Sequence, residues 1–289
     1  MRPDNRRGIL LMVATVFFFA CQDGFSRHLA GSYNTLMVVM LRYWAFAGFV
    51  LVLALRRPEG IRAAVRSDHM VMHAVRGTLL VAEIAIIVWG YTLIGLIESH
   101  AVFAICPLLV VALSGPVLGE RITPRRWLAV GVGMLGVLVI LRPGAGVLSW
   151  PALLPMASAL LFAIYSVLTR LGARAERMFP NFFWPAIFGA GLITFLGLPN
   201  WQPVAPFDWL LIAGYAATAV ISNWLMLKTY EAAEASAVQP FAYLHIVFSS
   251  ILALVVFGEH LAPAVALGAA IVVASGLFAL TSERKPAHG

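Results

Sequence analysis

Apolar residues in this chain come in long runs, and the polar residues between them gather into short clusters. A helix that crosses the hydrocarbon core of a bilayer needs about 20 mainly apolar residues, because only a helix satisfies its own backbone there. On that measure, spans are expected near 9–27, 34–55, 70–92, 99–118, 127–141, 151–170, 180–198, 208–227, 236–257 and 263–281. The fifth is short, and the third carries Arg76 and Glu83. The predicted fold class is an all-α polytopic membrane protein with ten transmembrane helices.

The phrase GVGMLG at 131–136 fits a dinucleotide-binding fingerprint letter for letter. That fingerprint needs a strand before it and a helix after it, whereas here it lies inside an apolar helix. Gly131, Gly133 and Gly136 are better read as places where neighbouring helices approach closely.

Composition agrees with a lipid solvent. The chain is 61% hydrophobic and 11% charged, with too little polar surface for a soluble domain of 289 residues. Its net charge of +7 is not a nucleic-acid signature, since the basic residues form no continuous stripe with interleaved aromatics. They cluster at 2–7, 56–66, 121–126, 170–177, 228 and 284–285. Numbering the loops alternately from a cytoplasmic amino terminus puts all these clusters inside, and only Arg142 and Arg27 outside. Both termini are therefore expected in the cytoplasm of a bacterial inner-membrane protein. The basic, apolar start resembles a secretory signal, but the apolar run continues too far, and an uncleaved first span is expected. Cys21 and Cys106 both lie in apolar runs, with neither a disulfide framework nor zinc-ligand spacing. No metal and no cofactor is expected.

VLGERITPRRWL at 117–128 returns as VFGEHLAPAVAL at 256–267, without its arginines. The offset of 139 also pairs Tyr91 with Tyr230, Leu138 with Leu277 and Leu141 with Leu280. FFFACQDGFSRHL lines up with LLFAIYSVLTRLG at a slightly different offset. Five spans per half would place the two copies on opposite membrane faces, which explains why only the cytoplasmic copy keeps its positive charges. The expected architecture is two inverted-topology five-helix repeats, 1–144 and 145–289, with a substrate near the midplane where they meet.

Ionisable groups within a span are costly and are functional candidates by default. Asp23, Arg42, Arg76 and Glu83 stand out, two of each sign, as expected if they pair across helices. The alternative is structural ion pairs that fix helix register, or an Arg76 that snorkels to the inner surface. Arg76 and Glu83 are seven apart and share a helix face with Leu80 and Ile87. The repeat maps Arg76 and Glu83 onto Tyr215 and Ser222, Gln22 and Asp23 onto Tyr165 and Ser166, and the His100–Ala104–Pro107 face onto Gln239–Tyr243–Ile246. Polar groups that recur at related sites point to a shared central cavity. Pro107 and Pro240 free backbone carbonyls there. His245 lies about 200° round the helix from Tyr243, so it either bonds Ser249 or a neighbouring helix, or joins the cavity lining. Trp150, Trp201 and Trp209 fall at span ends as interface anchors, and Glu120 and Glu259 are expected to cap the helices that follow them.

PLLVVALSGPVLGERITPRRWLAVGVGMLGVLVIL and QPFAYLHIVFSSILALVVFGEHLAPAVALGAAIVVASGLFAL together resemble the EamA family of the drug/metabolite transporter superfamily. ACQDGFSRHL, VVMLRYW, HAVRGTLL and QPFAYLHIV are similar to the branch holding S-adenosylmethionine uptake and riboflavin carriers. The resemblance carries over Asp23, Arg42, Arg76 and Tyr243 as motif positions; Arg27 stands where such motifs often have Lys, and Glu83 and His100 match no family position. It implies a secondary transporter of a small metabolite, such as S-adenosylmethionine, riboflavin or an amino-acid-like compound, in contact with membrane lipid.

The expected binding set is thus Asp23, Arg42, Arg76, Glu83, His100, Gln239 and Tyr243, with Gln22, Tyr165, Tyr215, Ser222 and His245 as further lining. Charges of both signs beside Tyr and Gln suit a zwitterionic or aromatic cargo. Glu83 and His100 are the groups to titrate if transport is proton-coupled; passive exchange is equally compatible. An exporter of the same fold is the first rival. An intramembrane enzyme is the second; it would need a nucleophile with a nearby base or a convergent metal-ligand set, and no Ser with a plausible nearby base and no nucleotide loop stands in the sequence. A membrane scaffold would leave the buried charges unexplained. In a background without Cys21 and Cys106, single cysteines at Thr123 and Ala262 should label from opposite sides of the cell membrane with an impermeant maleimide. Labelling of both from one side would contradict the inverted arrangement.

Overall fold

The computed structural model describes residues 5–119, 123–141, 150–232 and 241–281, which are helical throughout apart from turns and short connections. The helices are α1 (Asn5–Ser32), α2 (Thr35–Leu55), α3 (Ile61–Ala64), α4 (Met70–Phe103), α5 (Cys106–Leu118), α6 (Pro124–Leu141), α7 (Leu153–Ala175), α8 (Met178–Gly197), α9 (Asp208–Ala232), α10 (Leu244–Phe257) and α11 (Pro263–Thr281). Among the described residues, six stretches are long and apolar enough to cross a membrane: Arg6–Ser32, Thr35–Leu55, Met70–Phe103, Trp150–Gly172, Phe179–Asn200 and Asp208–Met226. Four shorter apolar helices accompany them, at Cys106–Leu118, Trp127–Ile140, Leu244–Phe257 and Pro263–Phe278. The protein is a multi-pass membrane protein. Trp150, Trp201 and Trp209 lie exposed on its surface.

The expected third and fourth spans are joined differently from the sequence reading. At 34 residues, α4 would be about 51 Å long as one rod, well beyond a hydrocarbon core of about 30 Å. It breaks at Gly95, whose φ of 86° and ψ of 173° suit glycine and disfavour residues with a Cβ. The fourth span is itself divided at Ala104–Ile105, just before Pro107, which has no N–H to carry the ladder onward. Tyr243, 139 residues after Ala104, marks a matching turn before α10. Pro240 lies outside the described residues.

Local geometry repeats with the sequence. Gly119 closes α5 with φ 69°, ψ 20°, and Gly258 closes α10 with φ 63°, ψ 24°. Both are left-handed caps, for which glycine is the least costly residue. Packing repeats too. α1 lies against α9 and α10, as α7 lies against α4 and α5; α4 meets α8 as α9 meets α2; α2 meets α8, and α6 meets α11. Exchanging first-half helices for their second-half counterparts leaves this set unchanged. Each of these packings joins one half to the other, so most of the buried core is a single cluster with side chains from both.

The α6/α11 contact is made by glycine. A Cβ on Gly136 would come within 2.9 Å of the Gly268 carbonyl oxygen, and one on Gly268 within 2.5 Å of the Gly136 oxygen. Gly133 is likewise closed over by Leu108 and Ser275, whereas a Cβ on Gly131 would meet nothing within 4 Å. The close-approach reading therefore holds for Gly133 and Gly136 and fails for Gly131, which sits on the exposed side of α6. Gly136→Leu should force α6 and α11 apart and cost about 1–3 kcal/mol, while Gly131→Leu should leave the melting temperature of the purified protein nearly unchanged.

Candidate functional site

The polar residues of α1 face inward because the rest of that helix can meet lipid and they cannot. Gln22 and Ser26 are buried, and Asp23 lies beside them with its side chain 14% exposed. Asp23 is approached by two histidines from distant parts of the chain. His245 Nε2 on α10 is 2.9 Å from Asp23 Oδ2, at hydrogen-bond geometry. His100 Nε2 on α4 is 3.0 Å from the same oxygen but has no aligned hydrogen-bond partner. The imidazole rings stand 4.6 Å apart at 71°, with Tyr91 against His100 at 5.3 Å and Phe19 against His245 at 6.2 Å. The His245 alternatives thus resolve toward the neighbouring helix rather than Ser249.

The cluster continues across the bundle. Turning the Gln22 amide lets its carbonyl accept from Arg42 Nη2 at 3.2 Å and Nε at 3.3 Å, while its NH2 donates to Ser222 Oγ at 3.3 Å. Ser158 on α7 donates to Glu83 Oε1 at 3.1 Å, and its hydroxyl also lies 3.2 Å from the Glu83 backbone oxygen. Six helices thus contribute: α1, α2, α4, α7, α9 and α10. Tyr43 and Tyr215 add buried hydroxyls with no protein partner, as do Ser99 and Ser249. Buried polar atoms are nearly always satisfied, so these orphans call for an explanation.

Other expected residues fall elsewhere. Arg76 is fully buried, but it works toward the α7–α8 connection. It donates to Asn181 Oδ1, to the Asn181 backbone oxygen at 3.0 Å and to Thr169 Oγ1 at 3.2 Å, with Tyr165 beneath its guanidinium at 5.3 Å. Its Nη1 also lies 3.3 Å from His73 Nδ1. An arginine can only donate, so His73 Nδ1 accepts and its proton sits on Nε2, which faces Glu176 at 2.6 Å and Ser67 at 2.9 Å. Among the described residues Asp23 engages histidines and Arg76 engages an amide, so these two do not form the charge pairs expected across helices. The shared face of Arg76 and Glu83 is real and buried, but seven residues separate them by about 10 Å along the axis. Tyr243 is set apart as well, its ring packed over Gly276 of α11. Gln239 lies outside the described residues.

A second polar junction was misread from sequence. Glu259 does not cap the helix after it. Its two oxygens accept from the backbone N–H groups of Leu96 at 2.9 Å and Ile97 at 3.0 Å, capping the new helical segment beyond Gly95. Arg27 pairs with the same carboxylate and lies 4.3 Å from the centre of the Phe257 ring. The distance in sequence, over 160 residues, hid this cap. Ser158 was missed as well; its signal was a polar residue seven before Tyr165 in the otherwise apolar stretch 153–164.

The EamA-like transporter family matches the chain twice, over residues 6–142 and 149–281. The chain belongs to the EamA-like transporter family. It is accordingly a transporter and not an enzyme. It is 27% identical over 283 residues to a riboflavin transporter of Vibrio cholerae, covering 96% of this chain and 94% of the relative. It is 24% identical over 281 residues to an S-adenosylmethionine uptake transporter of Rickettsia prowazekii, with the same two coverages. A solved crystal structure shares the fold, with a TM-score of 0.68 at 19% identity over 98% of this chain and all of that one.

Within this EamA-like fold the Gly95 junction is sterically exacting. A Cβ there would lie 2.7 Å from a Glu259 oxygen, on top of the penalty of about 1–3 kcal/mol for positive φ. Gly95→Ala should therefore lower thermal stability markedly. Gly60→Ala, with a comparable φ of 78° and nothing within 4 Å, should show the backbone penalty alone.

Proposed function

We propose that this protein is an inner-membrane secondary transporter that takes up a small polar or aromatic metabolite by alternating access, bound at the midplane between inverted five-helix halves, 1–144 and 145–289. The observation that carries this reading is the buried polar cluster shared by both halves, in which Asp23, Gln22, Arg42, Glu83 and His100 meet Ser158, Ser222 and His245. Such a cluster is expensive within a membrane bundle and is maintained where something polar must be bound. The unpartnered hydroxyls of Tyr43 and Tyr215 supply donors and aromatic faces for a heterocycle, while Arg42 and Glu83 suit charged groups on the cargo. The helix packings that exchange when the halves are swapped support the repeat, and the one-sided arginine clusters support cytoplasmic termini.

Relatives named for riboflavin and for S-adenosylmethionine uptake favour import of a cargo of that kind. Export is the second reading. It is favoured by a 24% identical relative of Pseudomonas aeruginosa, named a pseudopaline exporter, that matches over 249 residues.

Uptake into proteoliposomes tests the assignment. With riboflavin and S-adenosylmethionine as first probes, Asp23→Asn, Arg42→Gln and Glu83→Gln should each reduce the initial rate by about tenfold or more, the scale of losing one charge-assisted contact. Tyr243→Phe, remote from the cluster, should stay within about twofold. Unchanged transport in all three charge-neutralised variants would overturn the site; transport only in the efflux direction would favour the second reading.

A further inference from the structure

We infer that Asp23, His100 and His245 form a binding site for a divalent transition-metal ion of zinc-like ligand preference. The ligand atoms His100 Nε2, His245 Nε2 and one Asp23 carboxylate oxygen all lie within 4.8 Å of one another. Both imidazoles aim the same nitrogen at a single oxygen, at 3.0 and 2.9 Å. One hydrogen bond accounts for His245. The buried His100 Nε2 is left without a bond of its own. A metal ion between the three would use every one of these atoms.

The distances fit such an ion after a small adjustment. Metal–ligand bonds of about 2.0–2.1 Å at tetrahedral angles place ligand atoms about 3.3 Å apart, so each imidazole nitrogen needs to draw back from the Asp23 oxygen by only a few tenths of an ångström. Aromatic neighbours already fix the ring planes, Tyr91 against His100 and Phe19 against His245. Two imidazole nitrogens and one carboxylate favour zinc, cobalt, nickel or copper over magnesium or calcium, which prefer all-oxygen shells. Three protein ligands leave a fourth position open, the arrangement of sites that exchange a water for another ligand. The site also draws on both halves of the chain, since His245 stands on α10 while Asp23 and His100 stand on α1 and α4. This inference departs from the sequence expectation of no metal. The signal was hidden because the three ligands are spread over more than 220 positions.

Metal binding is measured without cargo, so its failure leaves the transport reading standing, and the converse holds. The full chain in detergent, stripped with a chelator, would be titrated with Zn²⁺ by calorimetry and with Co²⁺ by absorption spectroscopy. We expect about one equivalent of Zn²⁺ and the intense ligand-field bands of four-coordinate Co²⁺. Asp23→Asn and His245→Ala should each weaken Zn²⁺ binding by about tenfold or more and abolish those bands. His73→Ala, which removes the separate His73–Glu176 pair, should change neither. X-ray absorption at the zinc edge of the unaltered protein should show a shell of nitrogen and oxygen with imidazole scattering, a readout independent of whether any variant folds. Absence of stoichiometric binding would overturn the inference, and so would equal affinity in the Asp23 and His245 variants or loss of binding only in His73→Ala.

Discussion

A charged side chain inside a bundle of membrane helices has to find its partners within the protein, and this constraint organises the whole structure. Asp23 can be held only by groups that other helices bring to it, and those groups are His100 and His245. Gln22 meets Arg42 and Ser222, and Glu83 meets Ser158, on the same terms. His245, Ser158 and Ser222 come from the second half, so the buried polar groups of the first half are completed only with help from the other. The interlocked helix packings are the apolar counterpart of that division. Polar satisfaction and core packing therefore specify the same arrangement, as expected of a sequence with one native structure.

Two types of polar contact can be told apart by how complete they are. Arg76 is fully engaged by Asn181, Thr169, His73 and Tyr165, and this network ties α4, α7 and α8 at one level of the bundle. Around the Asp23 cluster the contacts are less complete: His100, Tyr43 and Tyr215 each hold a buried polar atom without a hydrogen-bond partner. A saturated network is what rigid scaffolding needs. An unsaturated one is what a ligand requires, because a cargo can add bonds without first breaking those of the protein.

Much of this was legible in the sequence. Apolar runs located the helices to within a few residues, since lipid tolerates no other backbone solution. The 139-residue echo anticipated the matching caps at Gly119 and Gly258. Most residues gathered around Asp23 are polar positions that stand out within apolar runs, although Arg76 shows that such a residue can also serve structure alone. What could not be read was who meets whom. Arg76 binds a backbone carbonyl, which every residue possesses, and Glu259 caps a helix start created by a glycine break inside another apolar run. His245 was ambiguous for a related reason: helical spacing fixes its direction relative to Tyr243 but not which neighbour occupies that direction.

The Glu259 junction has a mechanical corollary. Its carboxylate covers two main-chain amide hydrogens at the start of the segment after Gly95, and Arg27 covers the carboxylate in turn. Pulling these elements apart would strip two amides, a carboxylate and a guanidinium of their mates at once, and only incoming water can replace them. At this end of the bundle, parting and flooding are thus a single step, and a dry half-open state is the arrangement that the chemistry disfavours most.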